Sequence, residues 1–252
     1  MTPAGSDAVQ SVERALSLLD VLAGSSRRLS LGEIAAAAGL PPSTAHRLLQ
    51  TLAVRAFVQQ DADRRYLLGS ALLGLGNSAA RLLAANAQPY LEEIADFSGE
   101  TTNLALMEDD RIAYVAQAAG RHRMRMFTEI GRRVLPHSTA VGKVLLAWKP
   151  EDQARRVLGR FGLPQRTAHT ITDVEGFLAE LAKVRNRGFA VDDEEEEEGV
   201  RCIAVPVGPG AGAYSSISVS APAGRMPDIP LPLIGYMTEV GAQLRSAGDS
   251  TI

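Results

Sequence analysis

LGEIAAAAGLPPSTAHRLLQTL, Leu31–Leu52, carries two short helical patterns separated by a glycine and a pair of prolines. Ser30 stands just before the first pattern with Glu33 three residues on, the spacing at which a cap side chain and an N3 carboxylate satisfy each other's backbone amides. Gly39 stops that helix, because only glycine enters the left-handed conformation without a steric cost. Pro42 suits the first turn of the second helix, where its missing N–H is not needed. Two helices joined by so tight a turn predict a helix-turn-helix over about 31–50. On the second helix Ala45, Leu48, Leu49 and Leu52 form the inward face. Ser43, Thr44, His46, Arg47, Gln50 and Thr51 are left outward, a set of short hydroxyls and longer donors suited to phosphates and base edges.

The flanks extend this reading. Upstream, Val9, Val12, Leu16, Leu19 and Leu22 recur at three- and four-residue steps, so a first helix is expected with that stripe turned inward and Gly24 at its end. Downstream, FVQQ and RRYLLG flank the turn DADR and predict a two-stranded wing over about 57–69, with Arg64, Arg65 and Tyr66 available to backbone phosphates or the minor groove. The DNA-binding part is placed at 8–70 and a linker helix at 71–87. Gly74, Gly76 and Pro89 interrupt the helical pattern there, so PYLEEIADFSG is expected to start a separate helix in a second domain over 88–250.

Composition narrows the function classes. The 252 residues are 46% apolar and 22% charged with a net charge of −3, enough for a packed core in one large or two smaller domains. Residues 1–86 carry +2 and the remainder −5, a slightly basic head on an acidic body. A single cysteine excludes an internal disulfide framework and fits a reducing compartment. The start lacks the pattern of a signal peptide, and no apolar run of about 18 residues suggests a membrane span, so a cytoplasmic protein is expected. Four histidines and Cys202 show no zinc-ligand spacing, and no nucleophile elbow or phosphate loop occurs. No metal, no cofactor and no catalytic residue is therefore expected. Chemistry by Cys202 with a partner such as His137 stands as the lesser alternative.

The second domain reads as α+β. TTNLALMEDDRIAYVAQAAG alternates around Asp109–Asp110 as a hairpin does, and RMRMFTEIG alternates as a further strand with Met124 and Met126 on one face. HSTAVGKVLLAW, a capped PEDQARRVLGRF and DVEGFLAELAKVRNRG read as helices, the last ending at Gly188. FAVDD, VRCIAVPV and AYSSISVSA read as strands, and PLPLIGYMTEVGAQLRS as a closing helix.

SVERALSLLDVLA, LGEIAAAAGLPPSTAHRLLQTL and RRYLLGSALLGLG, followed downstream by LPHSTAVGKVLLA and GFAVDDEEEEEGVRCIAVPV, resemble the IclR-type bacterial transcriptional regulators in order and spacing from about residue 9 to 245. The resemblance implies a winged helix-turn-helix, a linker helix and a GAF-like α+β effector-binding domain. It further implies a dimer or dimer of dimers that binds double-stranded operator DNA, more often as a repressor, under control of a small organic acid or aromatic metabolite. By position it places the effector at Met126, Thr139, Ala140, Asp192, Cys202, Ser218 and Ser220; Arg123 falls where the family usually has an apolar residue.

Each of these residues has a plainer reading. Cys202 alternates with Ala204 as a core residue would, the two serines can satisfy strand neighbours, and both methionines can be core filler. The amides around Ser138–Ala140 suit an anionic ligand group. The acid run 192–198 is a poor metal site, since adjacent carboxylates diverge and repel. Asp192 is expected to face the pocket while most of 193–198 stays in water. A competing non-enzymatic reading is a constitutive DNA binder whose second domain only oligomerises.

Overall fold

The computed structural model describes residues 9–25, 27–108, 110–208 and 214–249. The chain divides into two units, 1–79 and 80–252.

In the first unit α1 (Gln10–Ala23) precedes a short strand β1 (Leu29–Ser30), α2 (Leu31–Ala37) and α3 (Pro42–Val54), followed by β2 (Val58–Gln60) and β3 (Arg65–Leu68). The cap of α2 forms as its sequence dictates: Ser30 N donates to Glu33 Oε2 at 2.7 Å and Glu33 N donates to Ser30 Oγ at 3.4 Å. Gly39 adopts φ +64, and Leu40 N closes the turn on Ala35 O at 2.9 Å. The wing gains a strand that the sequence did not suggest, in the order β1-β3-β2, with Leu29 opposite Tyr66.

Leu18, Leu22, Ile34, Ala45, Leu49 and Val58 fill the core of this unit. The expected stripe of α1 is displaced: Val9, Val12 and Leu16 are at least half exposed, and the helix meets the core through Leu18 and Leu22. Spacing identifies an apolar face but not how much of it neighbours cover; only the last two turns of α1 lie over this core.

The second unit is three layers. Its sheet contains β4 (Thr101–Glu108), β5 (Arg111–Ala118), β6 (Arg133–Val134), β7 (Ala190–Asp193), β8 (Val200–Pro206) and β9 (Ser215–Pro222), antiparallel throughout in the order β6-β5-β4-β9-β8-β7. Against one face pack α4 (Ala71–Ser98) and α8 (Leu231–Asp249), through Leu91, Ile94, Met237 and Val240 on Ile203, Ile217 and Val219. Against the other pack α5 (Ala140–Ala147), α6 (Glu151–Phe161) and α7 (Val174–Arg187), through Val144, Leu158, Phe177 and Leu181 on Ala105, Ile112, Cys202 and Ala204. A winged helix-turn-helix and an α+β unit are thus both present. Among the described residues no helix is long and apolar enough to cross a membrane.

Three expectations are corrected. The helical segment 71–98 is continuous, with Pro89 inside it. Pro89 removes one backbone bond, but buried Ala87, Leu91 and Ile94 anchor the helix on both sides of it. The stretch RMRMFTEIG forms no strand. The short β6 takes the outer edge of β5, and the preceding chain is tied down by Thr101 Oγ1 on Met126 O (2.6 Å) and Gln117 Nε2 on Thr128 O (3.0 Å). Met124 is 77% exposed there rather than core filler. Finally, α6 has Pro150 at its N-cap and no side-chain cap, whereas α7 is capped by Asp173 and ends at Gly188 with φ +82. Of the expected Asp109–Asp110 turn, Asp109 lies outside the described residues.

Candidate DNA-reading helix and effector pocket

On α3, Ser43, His46, Arg47, Gln50 and Thr51 are exposed and Thr44 is half-buried, while Ala45 and Leu49 are buried beneath them. Thr51 Oγ1 turns back to Arg47 O at 3.0 Å. No carboxylate among the described residues pairs with Arg47, so its charge is available to an outside anion. In the wing, Asp61 orders the turn by accepting from Asp63 N (3.0 Å) and Arg65 N (2.8 Å); the Arg65 amide, with Arg28 beside it, holds this carboxyl below its ordinary range. Arg64 and Arg65 are exposed, Arg65 lying 3.8 Å from Glu33. Tyr66 is a correction. At 3% exposure it belongs to the core of this unit, packed with Leu18, Leu22 and Leu29, the last its partner across the strands.

In the second unit, the residues assigned to the effector converge. Asp192 pairs with Cys202, Cys202 with Ser220 and Ser220 with Thr101, which makes one row across four strands. Two residues further along each strand, the next row runs Ala190, Ala204, Ser218, Asn103 and Gln117. Side chains two apart share a face, and Cys202 and Ala204 pack on the α5–α7 side, so both rows face that layer. Thr139 caps α5 above them, accepting from Gly142 N at 3.3 Å. Gly142 is required there, since a Cβ would stand 2.2 Å from Pro136 O. Ala140 is buried, Met126 is half-buried, and Arg123 is exposed on the irregular segment.

Burial dominates the electrostatics. Asp192 is raised to about 7, first by desolvation and then by the charge of Glu195, although its Oδ1 accepts from Glu195 N at 2.8 Å and Glu196 N at 3.3 Å. Cys202 is pushed up to about 12 by burial and by Asp192, against the hydroxyl of Ser220, whose Oγ lies 3.3 Å from its sulfur. Such a shift favours the protonated thiol, the weaker nucleophile. Tyr114 is raised by burial too, with Cys202 and Asp192 adding to the shift.

The raised Asp192 makes a pH prediction. Its native pKa lies above the unfolded value, so its share of stability is full below about 4 and is lost as pH rises through about 7. Asp192→Asn, which retains an acceptor for the two amides, is expected to raise the melting temperature at pH 8 and leave it little changed at pH 4–5. Equal effects at both pH values would show that Asp192 is ionised throughout.

The acid run is not the solvated turn its composition suggests. Glu195 is buried and ion-pairs with Lys143, itself 1% exposed, while Lys143 Nζ also donates to Val191 O at 2.8 Å. Glu196 Oε2 accepts from Ser138 Oγ at 2.5 Å, and Arg166 lies 3.5 Å from the same carboxylate. Thr170 Oγ1 donates to Glu195 O and Thr167 Oγ1 to Glu194 O, each at 2.6 Å. Asp193, Glu197 and Glu198 do face water. The run therefore ties the end of β7 to the start of α5. Among the described residues no three His, Cys, Asp or Glu side chains gather as a metal would require. Sequence reading missed Asn103, Gln117, Tyr114, Lys143 and Glu195; the available signal was polar side chains at inward positions of otherwise apolar strands.

Comparison with known proteins agrees with this architecture. Residues 11–62 match the IclR helix-turn-helix domain, and residues 79–243 match the bacterial transcriptional regulator IclR C-terminal family. The transcriptional regulator KdgR of Escherichia coli is 34% identical over 96% of this chain and 93% of its own length. The transcriptional repressor IclR of the same organism is 35% identical over 95% and 87%. Among solved structures, Thermotoga maritima IclR superimposes with a TM-score of 0.58 at 29% identity, covering 93% of this chain and 98% of that one. An IclR homolog of Microbacterium hydrocarbonoxydans, complexed with 4-hydroxybenzoate, shares the fold at 22% identity with a TM-score of 0.61, covering 94% and 98%. The molecule is a DNA-binding regulator of transcription. It belongs to the IclR family.

Proposed function

We propose that this regulator binds operator DNA as a dimer, inserts α3 into the major groove, and is controlled by a small oxygen-rich acid held in the second unit. For DNA contact, Ser43, Thr44, His46, Arg47, Gln50 and Thr51 offer donors from α3, and Arg64 and Arg65 reach phosphates from the wing. Self-association is supported by the apolar face of α1, where Val9, Val12 and Leu16 stand uncovered in a single chain. Repression is the sign carried in the names of relatives such as E. coli IclR.

The observation that carries the effector reading is the buried polar wall. Asp192, Cys202, Ser218 and Ser220 share one face beneath Thr139 and Ala140, and two polar atoms of that wall, on Ser218 and Asn103, have no hydrogen-bond partner. A domain that only oligomerised would gain nothing from leaving such atoms unsatisfied in its interior. The test is a thermal-shift screen of small acids on the full chain. A saturable rise in melting temperature supports the reading, and no rise with any acid leaves the constitutive binder as the better account.

A further inference from the structure

The buried amide of Asn103 is held in one orientation by the protein. Gln117 Nε2 lies 3.0 Å from Thr128 O, a carbonyl that can only accept, so this end of Gln117 is its NH₂ group. The same nitrogen lies 3.0 Å from Asn103, which must therefore turn its oxygen toward Gln117. Asn103 Nδ2 consequently points away from β5, toward β9. There its cross-strand neighbour is Ser218, and both residues are fully buried. Neither Asn103 Nδ2 nor Ser218 Oγ has a hydrogen-bond partner. The neighbouring polar groups in the same rows are occupied: Thr101 by Met126 O, and Ser220 by Cys202 Sγ. A β4–β9 pair with two open donors, fixed by a dedicated side-chain brace, is costly in a folded interior unless something else supplies the acceptor.

We infer that Asn103, braced by Gln117 and paired with Ser218, is a specificity-determining residue of the effector site that receives an acceptor oxygen of the ligand. The inference rests on the effector reading above. The subsite takes a carboxylate, ketone or similar oxygen, and it rejects groups that can only donate, such as an ammonium, because those leave Nδ2 unpaired. The nearby cation Lys143 is already paired with Glu195, so recognition on this wall runs through neutral donors instead of a salt bridge.

The experiment is a thermal-shift and calorimetric titration of the full chain with pyruvate, 4-hydroxybenzoate and, as a donor-only control, butylamine. Asn103→Asp keeps an acceptor for Gln117 and puts a carboxylate oxygen with its buried charge in place of Nδ2, so it is titrated at pH 8 where that group is most ionised; Asn103→Leu removes both functions. The wild-type chain is expected to bind at least one acid and not the amine, and both variants to bind that acid about tenfold or more weakly. Without ligand, Asn103→Leu deletes the open donor together with the bond from Gln117, so only a small change in melting temperature is expected; a residue serving the fold alone would lower it strongly. An acid bound equally by wild type and both variants overturns the role of Asn103 while leaving the effector site standing. No binding of either acid by wild type, with no other acid of the screen raising its melting temperature, overturns the effector reading and this inference with it.

Discussion

Replacing Lys143 by methionine is expected to destabilise the second unit by about 3–5 kcal/mol, because it strands a buried carboxylate without its cation. Lys143 and Glu195 are both buried, and they tie α5 to the turn after β7 across 52 positions of sequence. Burial already raises Glu195 above its ordinary range even with the ammonium beside it. Removing that ammonium raises it further, so the deficit of Lys143→Met should be large at pH 8 and shrink as pH falls and Glu195 takes up a proton. Urea denaturation at several pH values reads this directly. The double variant Lys143→Met, Glu195→Met is expected to recover most of the loss, because the cost lies in the unpaired charge and not in the absence of the pair. A double variant as unstable as the single one would place the effect in packing around α5 instead.

The second large effect concerns DNA. Arg47→Ala is expected to weaken operator binding by about 1–3 kcal/mol and to relax the base preference at one position of each half-site. The expectation follows from placement: Arg47 stands exposed on α3 between His46 and the buried Leu49 row, with no carboxylate among the described residues to hold it back. Anisotropy titrations on a duplex selected from a random pool distinguish the roles. A base reader loses discrimination between matched and mismatched duplexes. A phosphate contact instead loses affinity uniformly and lowers the salt slope by about one ion. Unchanged affinity and preference would remove α3 from the DNA interface.

Local chemistry made much of the fold legible. Ser30 with Glu33, Gly39 and Gly188 fix helix ends through bonds and backbone angles within a few residues, and each formed as read. The signals that misled were those whose outcome depends on distant neighbours. The valines and leucine at the start of α1 are spaced for burial but stay at least half exposed among the described residues, and the alternating Arg–Met stretch is held by side-chain bonds from Thr101 and Gln117 instead of a strand ladder. Tyr66 reads in sequence as a wing contact to DNA, yet it packs at 3% exposure in the core with Leu18, Leu22 and Leu29.

The polar wall proposed for the effector was partly visible. Asp192, Cys202, Ser218 and Ser220 were placed by resemblance, and strand register brings them into adjacent rows. Asn103 and Lys143 were not found, because a polar residue inside an apolar strand or helix announces its function only when its partners, 14 and 52 positions away, are known. The acid run shows the same limit: seven carboxylates look alike in sequence, and only the folded turn separates the buried Asp192 and Glu195 from those left in water.

The central claim is that occupancy of the second unit sets the DNA affinity of the first. The most direct measurement is a two-way titration: operator affinity with and without a saturating acid identified by thermal shift, and affinity for that acid with and without operator. The account predicts that the acid changes operator affinity and that operator changes affinity for the acid by the same factor, as linkage requires, with both effects reduced in Asp192→Asn while its ligand-free DNA binding is retained. An acid that binds the chain yet leaves operator affinity unchanged would contradict it.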